Sequence, residues 1–269
     1  MAASSNARSC GNIKSKAAAG RKDSVTAAPY GASLLLPLLF VIALLCVQST
    51  VHASATCNAG DMAALLQFKS ELVDQFNLLS DWSSNNPNCC TWTEQYMGTA
   101  VTCNSKGRVT SLILSGQVAT SSGNTASLLR NTSYNAAPFA ASLGSLADLQ
   151  KIEMDFVNFD GVGIPSTWSN LKQLTYLDLT FANVVGGLSS SLVSNWNLLQ
   201  TLDLQGDGFS GPLPADLCTS QGTTTTITSL QINENNFSGP IPQCLSKFSS
   251  GAFQPGNTGL CGAPLAACT

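Results

Sequence analysis

Residues 227–242 read ITSLQINENNFSGPIP, in which Ile227, Leu230 and Ile232 give way to Asn235, Phe237, Gly239 and an Ile-Pro pair. The same frame recurs upstream. It fits Leu199, Leu202, Leu204, Asp207, Phe209, Gly211 and Leu213-Pro214, and again Leu174, Leu177, Leu179, Ala182, Val184, Gly186 and Leu188. A degraded copy holds Leu149, Ile152, Met154, Val157, Phe159 and Gly161, with Ile164-Pro165 one residue late; Val109, Leu112 and Leu114 form a partial first copy. The starts at 149, 174, 199 and 227 lie 25, 25 and 28 residues apart. Spacing of this kind means stacked units, none of which can bury its apolar face alone. Alternate residues of a short strand in each unit point into a core that only neighbouring units close. Leu171, Leu192, Trp196, Leu217, Leu245 and Phe248 are placed to line the return side of that core.

The frame L-x-x-L-x-L-x-x-N-x-L-x-G-x-I-P resembles the plant-type extracellular leucine-rich repeat family, and the resemblance spans roughly Val109 to Phe248 with one interruption. It implies an α/β-type leucine-rich repeat solenoid, a short right-handed curved superhelix with parallel strands on the concave face. In that family the ninth-position Asn bonds turn backbone between coils. Here it is present only as Asn235; Asp207 substitutes once, and Asn158 and Asn183 sit one place late. The ladder is therefore expected to be weak in the earlier repeats. Residues 117–142 fit no frame and read as an irregular insertion rich in Ser, Thr, Asn and Ala.

A solenoid end exposes its core, so terminal units must differ from internal ones. Before the repeats, Asp61 is placed to cap a helix carrying Leu65, Phe68 and Leu72 on one face. That segment, the Cys89-Cys90 pair and Val101-Thr102-Cys103 resemble the family's N-terminal cap, which implies pairing Cys57–Cys89 and Cys90–Cys103. The C-terminal GNTGLCGAPLAAC resembles the family's other cap and implies Cys261–Cys268. Cys218 and Cys244 occupy nearly equivalent places on adjacent coils, near enough to bridge. Zinc is disfavoured for these eight cysteines, because the chain has no C-x-x-C pair and its single histidine, His52, lies before them.

An apolar run from Ala32 to Val47 follows Arg8, Lys14, Lys16, Arg21 and Lys22, and Ala53-Ser54-Ala55 supplies a small-x-small cleavage site. Residues 1–55 thus read as a secretory signal peptide. An uncleaved N-terminal membrane anchor is the alternative, although the run is shorter than the roughly 20 residues of a spanning helix. The expected organisation is then an N-terminal cap over 56–108, about five repeats over 109–248, and a C-terminal cap over 249–269. Beyond residue 55 the chain has seven Lys or Arg against fourteen Asp or Glu, a net charge near −7. Such a chain repels nucleic acid and anionic membranes. No second apolar span or kinase-like segment follows, so a receptor kinase is not expected.

Catalysis finds little support. Residues 206–211 spell G-x-G-x-x-G, but Pro212 and Pro214 follow where a dinucleotide site needs a helix. Loss of His52 with the leader removes any Ser-His or Cys-His arrangement. Glu153, Asp178 and Asp203 recur at the fifth repeat position, where an acid is ordinary in the family. Alternation along each strand predicts a concave face of Lys151, Glu153, Asp155 and Phe156, then Tyr176, Asp178, Thr180 and Phe181, then Thr201, Asp203 and Gln205, then Ser229, Gln231 and Asn233. Of these, Glu153, Asp155, Phe156, Tyr176, Asp178, Phe181 and Asp203 are the candidate ligand-binding residues. Asn131 and Asn236 open N-glycosylation sequons.

The resemblance implies a secreted, non-catalytic recognition module at the plant cell surface or cell wall, binding a protein or peptide in signalling or defence. An inhibitor of a microbial cell-wall-degrading hydrolase is the alternative. Expected partners are proteins or peptides, a receptor kinase or a cell-wall hydrolase among them. No nucleic acid, metal or small-molecule cofactor is expected, and membrane contact only through an uncleaved leader.

Overall fold

The computed structural model describes residues 55–93, 99–119, 125–127, 129–131, 138–219 and 222–269; side chains at 117–119, 125–127 and 131 fall outside that description. Residues 1–54 of the expected leader, including Ala53 and Ser54, lie outside the described residues. Helix α1 is Ala59–Ser70, and the strands that follow are β1 Leu72–Asp74, β2 Ala100–Cys103, β3 Val109–Ile113, β4 Gln117–Ala119, β5 Thr125–Ser127 and β6 Leu129–Asn131. Then come β7 Lys151–Glu153, β8 Tyr176–Asp178, β9 Val185–Gly186, the short helix α2 Ser190–Val193, β10 Thr201–Asp203 and β11 Gly208–Gly211. The last strands are β12 Ser229–Gln231, β13 Asn236–Pro240 and β14 Gly259–Cys261.

These strands form the two long walls of a leucine-rich repeat solenoid. One sheet runs β2-β3-β7-β8-β10-β12, and all its pairs from β3 onward are parallel. Register is strict: Leu112, Ile152, Leu177, Leu202 and Leu230 align across five strands, each at most 4% exposed. A second sheet, β9-β11-β13-β14, follows the turns. Its apolar members Phe209 and Phe237 stack with centroids 5.8 Å apart. The strands alternate because one side of each sheet must be dry and the other wet.

Proline sets the return segments. Pro165, Pro214 and Pro242 hold extended backbone immediately before the 3-10 turns Ser166–Asn170, Ala215–Leu217 and Gln243–Leu245. In the coil that lacks this proline, Ser189 caps α2 by accepting the Leu192 amide. Buried indoles tie neighbouring return segments together: Trp168 Nε1 donates to the Ala140 carbonyl and Trp196 Nε1 to the Trp168 carbonyl, both at 3.0 Å. Where the first two return segments meet, a Cβ on Gly144 would fall 2.4 Å from the Thr167 carbonyl oxygen, so only glycine permits the approach.

The N-terminal cap differs from the sequence expectation in its helix start. Asn58, not Asp61, is the cap residue, accepting the Gly60 and Asp61 amides. Asp61 is 2% exposed and instead accepts Arg108 Nε at 2.9 Å and the Val109 amide at 2.8 Å, fixing α1 to the first repeat strand. Leu72 is not on the helix either; it opens β1. Lys69 closes the cap by donating to the Leu79 and Trp82 carbonyls.

Within the stretch 117–142, which the sequence reads as an irregular insertion, the described residues include paired strands. β4 and β5 pair as a hairpin, and β6 pairs antiparallel with β1 of the cap. Leu129 of β6 is fully buried, and Phe139 packs between Phe68 of α1 and Phe159 of the second repeat at 5.5 and 4.7 Å. The reason is that the segment buries apolar side chains against two different elements, a pattern invisible to any single local period.

Among the described residues four disulfides are present: Cys57–Cys89, Cys90–Cys103, Cys218–Cys244 and Cys261–Cys268. The Asn ladder is confined to the C-terminal half. Asn235 accepts the Phe209 amide and donates to the Leu204, Ile232 and Asn233 carbonyls. In the earlier coils the equivalent places are taken by buried Val157 and Ala182, while Asn183 donates to Asn158 at the surface. The cap supplies a further rung that the repeat frame did not reveal: Asn257 accepts the Phe237 amide and donates to Ile232 and Phe253.

Candidate functional site

The parallel sheet aligns the outward side chains into columns. Lys151, Tyr176, Thr201 and Ser229 share one row across the strands, and Glu153, Asp178, Asp203 and Gln231 share the next. Neighbouring members of a row are separated by the strand spacing of about 4.8 Å. Three carboxylates in a row at that spacing repel one another, and the local partners show how the repulsion is contained. Lys151 Nζ lies 2.7 Å from Glu153 Oε2 and 4.4 Å from the Tyr176 ring centroid, engaging a charge and a ring at once. Thr180 donates to Asp178 through both its amide and its hydroxyl, and the Gln205 amide donates to Asp203. Asp155 accepts the Ser115 hydroxyl at 2.9 Å through one oxygen, while its other oxygen is buried without a partner among the described residues.

The electrostatic consequence is a set of weakened acids. Burial raises the Asp155 carboxyl above the usual carboxylate range, and Asp178 and Glu153 add to it. Burial, then Asp178, does the same to Asp203. The Tyr176 hydroxyl is pushed up to about 12, first by burial and then by Asp178 and Glu153. A cation bound beside Asp155 and Asp203 would favour their charged forms and so oppose this effect of burial.

Phe156 and Phe181 do not sit on the strands as alternation predicts. Each comes after the strand has ended, at φ 57° and 52°, in the left-handed region. Their rings nonetheless adjoin, with centroids 5.2 Å apart. Phe156 is half-buried, but Phe181 keeps 38% of its surface in solvent. One coil further on, the same place is Gly206, and Phe181 lies directly over it: a Cβ there would fall 2.1 Å from the ring. The column ends in Glu234, again at positive φ. Bulky residues in this conformation cost on the order of 1 kcal/mol or more, and such strain concentrates where a side chain has a task. Sequence alternation could not reveal it, because each strand ends three residues before its Phe.

The remaining candidates are dispersed. Asn236 is exposed on β13, whereas the Asn131 side chain lies outside the described residues. Gly206, Gly208 and Gly211 belong to a repeat turn and to β11, followed by extended chain and a 3-10 turn, not by the helix a dinucleotide requires.

Comparison with known proteins agrees with this architecture. A family model described as a leucine rich repeat N-terminal domain matches residues 58–104. The crystallised BIR2 ectodomain from Arabidopsis thaliana superposes with a TM-score of 0.58 at 25% identity, over 80% of this chain and all of that one. The chain is a leucine-rich repeat protein of the plant extracellular type. The BIR3–SERK2 complex from the same plant gives a TM-score of 0.58 at 27% identity, covering 77% of this chain and 98% of that chain. Among curated sequences, the probable receptor-like serine/threonine-protein kinase RPK1 of Arabidopsis thaliana is 30% identical over 192 residues, 68% of this chain. Receptor-like protein EIX1 of Solanum lycopersicum is 28% identical over 63% of it. This leucine-rich repeat protein spans 34% of the length of the first relative and 16% of the second. Its disulfides fit an extracellular setting.

Proposed function

We propose that this leucine-rich repeat protein is a non-catalytic recognition module, secreted or held at the cell surface, that binds a protein or peptide partner across the coils from Lys151 to Gln205. The observation that carries the reading is the aromatic pair Phe156–Phe181, held in strained backbone and left partly exposed at the margin of an acidic strand face. Aromatic anchors dominate interface energies, and charge around them steers association. The partner therefore carries Lys or Arg beside an apolar group. The likeness to a chain crystallised within the BIR3–SERK2 complex supports a protein partner. The test is a capture experiment from plant cell-wall and plasma-membrane extracts, followed by binding kinetics on the captured partner. Asp178→Lys slows association and alters its salt dependence, while Phe181→Ala mainly speeds dissociation. Wild-type kinetics in both variants, with folding intact, would remove the concave face from consideration.

A further inference from the structure

The Asn ladder leaves a carboxyl where an amide belongs. In Asn235 and Asn257 the Oδ1 accepts an amide of the preceding coil, and Nδ2 donates to carbonyls of both coils. Asp207 holds the same place one coil earlier, and its Oδ1 makes the same bond, accepting the Val184 amide at 3.1 Å. Its Oδ2 then takes the position of the amide nitrogen. That oxygen is shut off from solvent and has no hydrogen-bond partner among the described residues, although the residue as a whole is only half-buried. By the repeat register, an amide at this place would bond the Leu179 carbonyl of the preceding coil and the Leu204 carbonyl of its own. A carboxylate oxygen repels such carbonyls, whereas a carboxylic acid O–H donates to them.

We propose that Asp207 is a proton-binding site of the folded solenoid, holding its proton as a donor in the ladder and releasing it as pH rises, with loosening of the turn at residues 205–208. The surroundings favour the proton. Ion pairs among the described residues are Arg108–Asp61 and Lys151–Glu153, so no cation pairs with Asp207. Asp178 lies on the preceding coil and Asp203 on its own; on the following coil Glu234 accepts from Gln205 Nε2 at 3.1 Å, while Lys247 donates to the Ile227 carbonyl. Burial raises the carboxyl from 3.8 to about 7, opposed by the Val184, Ala182 and Asn183 amides and assisted by Asp178. The turn also touches the aromatic pair, since Gly206 lies beneath the Phe181 ring. A shift of the turn is therefore transmitted to the recognition face.

The sign follows from a folded-state value raised above the unfolded one. Below 3.8 both states hold the proton and the stabilisation is complete; it is lost as pH rises through the window from 3.8 to about 7. The experiment is a carboxyl-carbon NMR titration of the full protein, with the Asp207 resonance identified by its absence in Asp207→Asn, or in Asp207→Ser if the first variant does not fold. A resonance titrating near 7 is expected, and one titrating at or below about 5 overturns the proposal. In parallel, the folding equilibrium of the wild type falls by about tenfold per pH unit more steeply than that of the variant within the window. Asp155, Asp203 and Glu71, also raised by burial, are common to both proteins and drop out of the difference. Parallel stability curves overturn the proposal as well.

Discussion

At the scale of single residues, what a side chain contributes depends on how many backbone groups it satisfies away from water. Asn235 is 4% exposed and serves one amide and three carbonyls. Asn235→Ala strands those groups, so a loss of about 2–4 kcal/mol is expected in urea unfolding. Asn158→Ala, half-buried and accepting only the Asp160 amide and Asn183, costs less, about 1 kcal/mol by the same measurement. The contrast is informative because both residues are asparagines near the same repeat position. Asp61→Ala should likewise lose about 2–3 kcal/mol, since it removes the acceptor of Arg108 and of the Val109 amide. The identity of the residue does not separate these cases; the direction of its side chain does.

At the scale of elements, the disulfides differ in the length of chain they close. Cys218–Cys244 spans 26 residues between adjacent coils, and Cys261–Cys268 spans 7 at the end of the chain. Loop-closure entropy assigns roughly 3.5 kcal/mol to the first and roughly 2.4 to the second. Paired Cys→Ala replacement followed by thermal unfolding should therefore lower the midpoint more for the inter-coil bridge. The strand–turn unit offers a second check. Leu202 sits 1% exposed in a column of five apolar residues, so Leu202→Asp places a carboxylate where no partner exists. A loss of several kcal/mol is expected, seen as a collapsed thermal midpoint.

At the scale of the whole molecule, the two walls present different surfaces: one sheet carries the row Glu153–Asp178–Asp203 with the aromatic pair just past its strands, and the other carries Asn236 outward on β13. If the protein passes through the secretory pathway, enzymatic removal of N-glycans should shift its mass, and Asn236→Gln should reduce the shift without altering the fold. Periodicity alone determined the repeat frame, the buried column from Leu112 to Leu230 and the row Glu153–Asp178–Asp203, because strand alternation and a fixed repeat length leave little freedom in what points inward. The tertiary structure decided the rest. It turned Asp61 from a helix cap into the anchor of the first strand, paired Leu129–Asn131 with the cap and packed Phe139 between cap and repeats, and recruited Asn257 as a rung from outside the repeats. It also moved Phe156 and Phe181 off the strands into left-handed backbone, and left Asp207 with a buried oxygen that has no hydrogen-bond partner among the described residues. Each of these depends on a contact between segments far apart in the chain or on neighbouring coils. A local pattern records only which residues can be buried, whereas the packing of one coil on the next decides which polar groups must find a partner there.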